Sequence, residues 1–218
     1  MLFPRNALTP GPQVCFFAEK VKKKRKGGKL DSSLERKGRK RLPWDNEAMT
    51  KPIKFKDEVF TRALKELSEA RIPHRVMTFK AEEKSAEEVT RETGFPLARV
   101  VKTLLVQGAS EKYYLALCPG NRQVNLKSLA RAVGEKTVDM AKREEVSKIT
   151  GYFIGGVSPI GTHRPLPVIL EQSILGMPEI AISAGQWGCQ AVLRPWDLRE
   201  FLGSRATLAS FAQAEGEN

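Results

Sequence analysis

The feature that most constrains the fold is a pair of branched, apolar runs at residues 100–107 and 112–118, separated by Gly108-Ala109-Ser110-Glu111. Two such runs on either side of a short polar turn pair as antiparallel strands. A lone hairpin is marginal in water, so the flanking sequence must supply further strands and packed helices. Val59, Phe60, Ala63, Leu64, Leu67 and Ala70 follow helical spacing and predict a core-facing helix over residues 56–70. Pro73 ends it, and residues 74–79 alternate as a strand. Ser85-Ala86-Glu87-Glu88 reads as a capping box and Gly94 as a left-handed stop, with a short helix between them. Asn125 caps a helix over 126–133 that Gly134 closes, a strand follows at 136–140, and Gly151 closes a helix over 142–150. Three further strands are expected at 167–171, 180–183 and 190–193. Strands and helices intermix without regular alternation, so the predicted class is α+β, a mixed and largely antiparallel sheet with packed helices.

Charge divides the chain. The net charge is +12, yet residues 1–48 alone hold 13 basic and 5 acidic side chains, a net of +8. That stretch carries Lys22-Lys23-Lys24-Arg25-Lys26 and five basic residues among 36–41, with no apolar periodicity. Like charges repel and little apolar area offsets the ordering entropy, so the segment reads as a basic disordered extension. A polyanion-binding arm, a nuclear address and a dispensable extension are the competing readings, and solvated charge runs favour the last. Globular patterning begins near Met49, giving domains at 1–48, 49–203 and a C-terminal tail at 204–218. No run approaches the ~18 apolar residues of a membrane span, which implies a soluble, cytoplasmic protein and no membrane partner. Cys15, Cys118 and Cys189 are widely spaced and only His74 and His163 are present, which disfavours a disulfide framework or a metal site. Nothing in the pattern requires a cofactor.

The usual catalytic templates fail. Gly156-Val157-Ser158-Pro159-Ile160-Gly161 has its second glycine one position late for a nucleophile elbow. Gly151, Gly155, Gly156 and Gly161 do not fit a dinucleotide fingerprint, and no glycine-rich loop ends in Gly-Lys-Ser or Gly-Lys-Thr. Cys118 and Cys189, flanked by strand residues, read as core side chains. Two features resist a structural reading. Lys102 sits inside Val100-Val101-Lys102-Thr103-Leu104-Leu105-Val106, where a cation is costly unless its head reaches water or an anion. The loop from Gly155 to Gly161 combines adjacent glycines with Pro159, which lets backbone amides turn inward and a ligand approach closely. A solvent-facing strand residue and a tight structural turn remain the alternatives.

These pieces, together with 125–134, 138–141, 150–161, 166–171 and 182–185 in the same order, resemble the YbaK and prolyl-tRNA synthetase-associated editing domain family over about residues 56–203. The resemblance implies a curled mixed sheet, a partial barrel, with a pocket for the aminoacylated 3′ end of tRNA. It also implies an aminoacyl-tRNA deacylase that removes a wrong amino acid, commonly Cys or Ala on the proline tRNA, with prolyl-tRNA synthetase as a further partner. Lys102 falls on the family's essential lysine, and Gly155, Gly156 and Pro159 on its glycine-proline loop. Lys102, Gly155 and Gly156 are the expected catalytic residues, Lys102 gripping a phosphate or ribose and the two amides donating hydrogen bonds. Phe79, Ser158, Pro159, Gly161, Ser183, Ala184, Gly185 and Gln190 are expected to line the substrate site. Phe79 stands where the YbaK branch often has Tyr, and Gln190 where it often has Asp, departures that bear on which amino acid is accepted. A module that binds tRNA without hydrolysis and an interaction protein working through the basic arm are the rival readings.

Overall fold

The computed structural model describes residues 61–83, 85–214 and 216. The basic segment, the boundary near residue 49 and positions 56–60 of the first predicted helix lie outside the described residues. Within them the helix begins later than the apolar spacing suggests. Thr61 is extended, its hydroxyl accepts from the Leu64 amide at 3.2 Å, and α1 runs Arg62–Glu69. The hydroxyl satisfies an amide that the first turn would otherwise leave open, which makes Thr61 a cap rather than a helical residue.

The other predicted helices stand close to their expected places. Ser85 caps α2 (Ala86–Thr93) and Asn125 caps α3 (Leu126–Val133), accepting from Glu88 and Ser128 amides at 3.0 and 2.9 Å. α4 spans Arg143–Thr150. Gly94, Gly134 and Gly151 close α2, α3 and α4 with φ of +71°, +70° and +75°, where a β-carbon would be strained. A fifth helix, α5 (Pro195–Leu202), was not expected. Proline starts it, and Arg194 makes a bidentate pair with Asp197 at 2.6 and 2.7 Å.

The strands are β1 (His74–Thr78), β2 (Val100–Gly108), β3 (Tyr113–Pro119), β4 (Gln123–Val124), β5 (Val138–Met140), β6 (Val168–Glu171), β7 (Ile180–Gln186), β8 (Cys189–Leu193), β9 (Ala206–Ala209) and β10 (Ala212–Gln213). The main sheet has the order β1-β8-β7-β2-β3-β6-β9, with β5 also on β2. It is mixed: β2 lies parallel to β7, β3 to β6 and β6 to β9, and its remaining pairings are antiparallel. The path is open rather than a closed barrel, which agrees with the α+β expectation. Within the segment expected as a C-terminal tail at 204–218, β9 extends the sheet beside β6, and β10 pairs with β4, while residues 215, 217 and 218 lie outside the described residues. Ala206-Thr207-Leu208-Ala209 is a poor strand former, so its conformation comes from the neighbouring strand rather than its own propensity.

Alternation gives the sheet two faces. Val101, Leu105, Leu115, Leu117, Ile180 and Ile182 face a core completed by α1, Val157 and Ile160. On the opposite face α3 packs Leu129 and Ala130 over Val106, Tyr114, Ala116 and Cys118, and α2 packs Ala86 and Val89 over Val100, Ala181 and Val192. Lys102 and Leu104, in register with Cys118 and Ala116, lie on this second face between the two helix clusters.

Candidate functional site

Position 102 is where a long apolar strand leaves the cover of its helices. Lys102 is half-buried, and its ammonium donates to the Gly120 carbonyl at 3.0 Å and the Arg122 carbonyl at 2.5 Å. Both acceptors belong to the reversing segment after β3. An ammonium has three N–H groups. Two orient the side chain and one is left to meet a ligand oxygen.

The register builds a row around it. Lys102 pairs with Cys118 on one side. On the other, the parallel register Val100↔Ala181 and Val101↔Ile182, carried one step further, sets Lys102 abreast of Ser183. Ser183 pairs with Gln190, and Gln190 with Met77. Paired residues project to one side of a sheet. Cys118, Lys102, Ser183, Gln190 and Met77 therefore form a transverse row on one face, and Ser183 and Gln190 are buried in it. Phe79, half-buried beside the α2 cluster, continues the β1 edge and donates its amide to Gly188 O at 2.9 Å. Burial pushes the Cys118 thiol up to about 11, with the Lys102 charge opposing the shift. That thiol is a core group and not a nucleophile at neutral pH. Cys189 is likewise pushed up to about 11 by burial.

The glycine loop is built differently from the expectation. The Gly156 amide donates to Phe153 O at 2.9 Å, closing a turn in which Gly155 has φ +85°. A positive φ at the third position requires glycine, and Gly155 itself is exposed. Of the two amides expected to donate to a substrate, that of Gly156 is occupied in closing the turn. Ser158 is fully buried, and its Oγ accepts from the Ile160 amide at 3.3 Å. Pro159 is buried, with Val157 and Ile160 beside it in the sequence packed into the first core. No hydrogen bond joins Lys102 to this loop among the described residues. The connection runs through the β7–β8 hairpin. Its tip residue Trp187 donates its indole N–H to Ile154 O at 2.8 Å, and a β-carbon on Gly156 would lie 3.5 Å from Trp187.

Three residues expected in the substrate site have packing roles of their own. Gly161 has φ +69°, donates to Glu66 Oε2 at 3.2 Å, and a β-carbon there would strike Tyr152 Oη at 2.6 Å. Its small size serves the seating of the loop on α1. Ala184 is fully buried in the first core, and Gly185 makes room for the Tyr152 ring, 2.5 Å from where its β-carbon would stand. The residues the structure brings together are thus Lys102, Ser183 and Gln190, with Phe79 at the edge. Sequence reasoning missed the carbonyls that hold Lys102, although Pro119-Gly120-Asn121-Arg122 directly after a strand signals a reversal. A cavity of about 320 Å³ lined by Tyr113, Tyr114 and Arg164 lies near the hairpin turn. Tyr114 pairs with Val106, four residues along β2 from Lys102, so the cavity is a separate feature. No cluster of three or more His, Cys, Asp or Glu that could hold a metal occurs among the described residues. No helix among them is long and apolar enough to cross a membrane.

Comparison with known proteins places this arrangement. A chain of Enterococcus faecalis named as a candidate Cys-tRNA(Pro)/Cys-tRNA(Cys) deacylase is 34% identical over 144 residues, covering 65% of this chain and 88% of the relative. A proline–tRNA ligase of Fervidobacterium nodosum is 29% identical over 99 residues, 45% of this chain and only 17% of the ligase. A solved structure described as a candidate trans-editing enzyme for prolyl tRNA synthetase superposes with a TM-score of 0.62 at 29% identity, covering 72% of this chain and 100% of that one. The model of the aminoacyl-tRNA editing domain family matches residues 80–201, and the chain belongs to that family.

Proposed function

We propose that this protein hydrolyses the ester joining a wrongly attached amino acid to the 3′-terminal ribose of tRNA, acting in trans as an editing factor. Cys and Ala on the proline tRNA are the first substrates to test, since the Enterococcus relative is named for Cys-tRNA(Pro) and Cys-tRNA(Cys). Prolyl-tRNA synthetase is the proposed partner, because proline–tRNA ligases carry a similar segment within a longer chain. The cytoplasm, where charged tRNA is used, is the proposed compartment.

The observation that carries the reading is Lys102 held by two carbonyls on an open face of the sheet, beside buried Ser183 and Gln190. An aminoacyl ester is already activated, so the protein needs mainly to place it and stabilise the negative charge that develops. Lys102 supplies a fixed positive charge to a ribose or phosphate oxygen. Ser183 and Gln190 supply hydroxyl and amide groups to the amino-acid end, and the exposed Gly155 backbone stands ready as a further donor. No protein group is assigned the part of general base. The neighbouring ribose hydroxyl relays the proton, accepting one while passing on its own, and in cysteinyl-tRNA the substrate's own thiol can serve as the nucleophile. Water attacks the carbonyl carbon, the ester C–O bond breaks, and a proton of that water passes to the departing ribose oxygen; where the cysteinyl thiol attacks instead, its own proton goes to the ribose oxygen and water then opens the thiolactone that is released.

The test is hydrolysis of a panel of mischarged tRNAs by the full chain and by Lys102→Ala. Loss of one preorganised charge stabiliser costs on the order of 100-fold in rate. A variant with a native circular dichroism spectrum and the wild-type rate removes Lys102 from the mechanism. A wild-type chain that hydrolyses no member of the panel removes the activity.

A further inference from the structure

Five large apolar side chains are exposed among the described residues, and three of them, Phe153 (72%), Ile154 (40%) and Trp187 (43%), form one patch. Isolated exposed apolar residues are ordinary, but a contiguous aromatic group marks a contact surface. The two rings lie 6.2 Å apart and are tilted by 55°. Their backbone supports are defined: the glycine turn closes between Phe153 O and the Gly156 amide, and the Trp187 indole N–H is held by Ile154 O at 2.8 Å. With its polar edge anchored, the indole is fixed beside the more exposed Phe153 ring and keeps 43% of its surface accessible.

Two further observations choose the occupant. The patch joins the β7–β8 hairpin, whose strands carry Ser183 and Gln190. Gln186 lies three residues beyond Ser183, a span of about 10 Å. Positive charge adjoins it as well. The exposed Arg62 stacks over the Tyr152 ring at 4.8 Å and donates to Gly151 O at 2.8 Å. A β-carbon on Gly151 would lie 2.5 Å from both the Arg62 guanidinium and the His163 ring, so these two groups converge two residues before Phe153. Aromatic faces next to a guanidinium are the chemistry that holds unpaired nucleotides, bases stacking on the rings and phosphates meeting the cation.

We infer that Phe153 and Trp187 form a stacking platform for an unpaired base next to the 3′-terminal nucleotide of the substrate RNA, with Arg62 on its phosphate. This rests on the proposed deacylase reading, since that substrate ends in an unpaired strand whose last ribose must reach Lys102. Arg62 belongs to α1 on the first face of the sheet and Lys102 to the second, so the strand turns over the tip of the β7–β8 hairpin between the platform and the ester.

The test uses the full chain and an RNA hairpin with a four-nucleotide unpaired 3′ tail, compared with the same hairpin carrying an abasic tail. Both probes hold the same phosphates, so only base stacking separates them. One stacked base is worth about 5- to 150-fold in affinity. The wild type is expected to prefer the intact tail by about tenfold, Phe153→Ala to lose most of that preference, and Trp187→Phe to retain much of it. Phe153→Ala is the cleaner variant, because its side chain is the most exposed of the patch and Trp187 also braces the turn. With mischarged tRNA the Phe153→Ala loss should fall on KM more than on kcat. Equal affinity for the two tails, or a preference that survives Phe153→Ala and Trp187→Ala together, overturns the platform. Self-association in the ultracentrifuge that disappears in this double variant, with RNA affinity unchanged, also overturns it and assigns the patch to a protein contact. The two readings separate cleanly. A ring-dependent tail preference without hydrolysis sinks the deacylase and leaves the platform, whereas hydrolysis without a ring-dependent preference does the reverse.

Discussion

Glu171, the last residue of β6, is 5% exposed and holds the C-terminal segment in place. Its Oε2 accepts from the Phe211 amide at 2.7 Å and the Ala212 amide at 2.8 Å. Phe211 O then accepts from the Asn125 amide at 2.8 Å, and Asn125 Nδ2 donates to Gln213 Oε1 at 2.6 Å. Ala212 and Gln213 pair with Val124 and Gln123. The residue before that pair is Arg122, whose carbonyl accepts from Lys102. A buried carboxylate is therefore connected to the functional lysine through Phe211 and the β10–β4 pair. Glu171→Ala leaves the buried Phe211 amide without its acceptor, at about 1–3 kcal/mol, and removes a second, half-buried bond of about 1 kcal/mol. The sum of about 2–4 kcal/mol corresponds to a fall of about 5–15 °C in the melting temperature of a domain this size. Glu171→Gln keeps one acceptor oxygen and should lose less than half as much.

Thermal melts and amide hydrogen exchange of the full chain check this. Exchange should accelerate at 211–213 and 123–125 while the β2–β3 hairpin keeps its protection. Deacylation at a temperature where the variant remains folded should drop severalfold, because the carbonyls that aim Lys102 lose their brace. An unchanged melting temperature refutes the clamp. Loss of stability with normal exchange at 123–125 and normal hydrolysis refutes the connection to Lys102.

The two loop glycines should respond in opposite ways. Gly155→Ala forces a β-carbon onto a φ of +85°, at about 1–2 kcal/mol, and should displace the turn and slow hydrolysis. Gly156→Ala meets its neighbours at 3.5 Å or more and should be nearly neutral in melting temperature and rate, a pattern whose reversal would contradict the turn described above. Alkaline pH should destabilise the fold through its buried thiols. Cys118 and Cys189 keep their protons up to about 11 when folded, against the ordinary thiol value of 9.0. Their contribution is therefore complete below pH 9 and is lost as pH rises from 9 through 11. Melting temperature against pH, compared between the wild type and a Cys118→Ala, Cys189→Ala chain, should show the steeper alkaline fall only in the wild type.

Much of the helix plan was legible because caps are local. Ser85, Asn125, Gly94, Gly134 and Gly151 each act within about one turn of their own position, so the sequence near them contains the whole reason for the boundary. The strands that were missed have non-local reasons. Ala206-Thr207-Leu208-Ala209 is extended because β6 offers an open edge, and Gln123-Val124 because Ala212 and Gln213 come back to it. Neither run is long or branched enough to announce a strand. The fifth helix is a different case: proline at its first position and Asp197 in its first turn are local start signals, visible before the structure.

The site was legible to the extent that its chemistry rests on side chains. A lysine inside an apolar strand requires a destination for its charge, and that requirement can be read from Val100 to Val106 alone. The destination cannot, because Gly120 O and Arg122 O are main-chain atoms and any residue provides them. The glycines show the same limit from the other side. A glycine reports that something comes close to the backbone without saying what comes. At Gly185 it is the Tyr152 ring, and at Gly161 it is α1 and the Tyr152 hydroxyl. At Gly155 the requirement is a backbone angle, which leaves an exposed turn free to present itself to a ligand. Only the register decides between these cases. It sets Ser183 and Gln190 on the face of Lys102 while Ala184, one residue along the same strand, belongs to the opposite core.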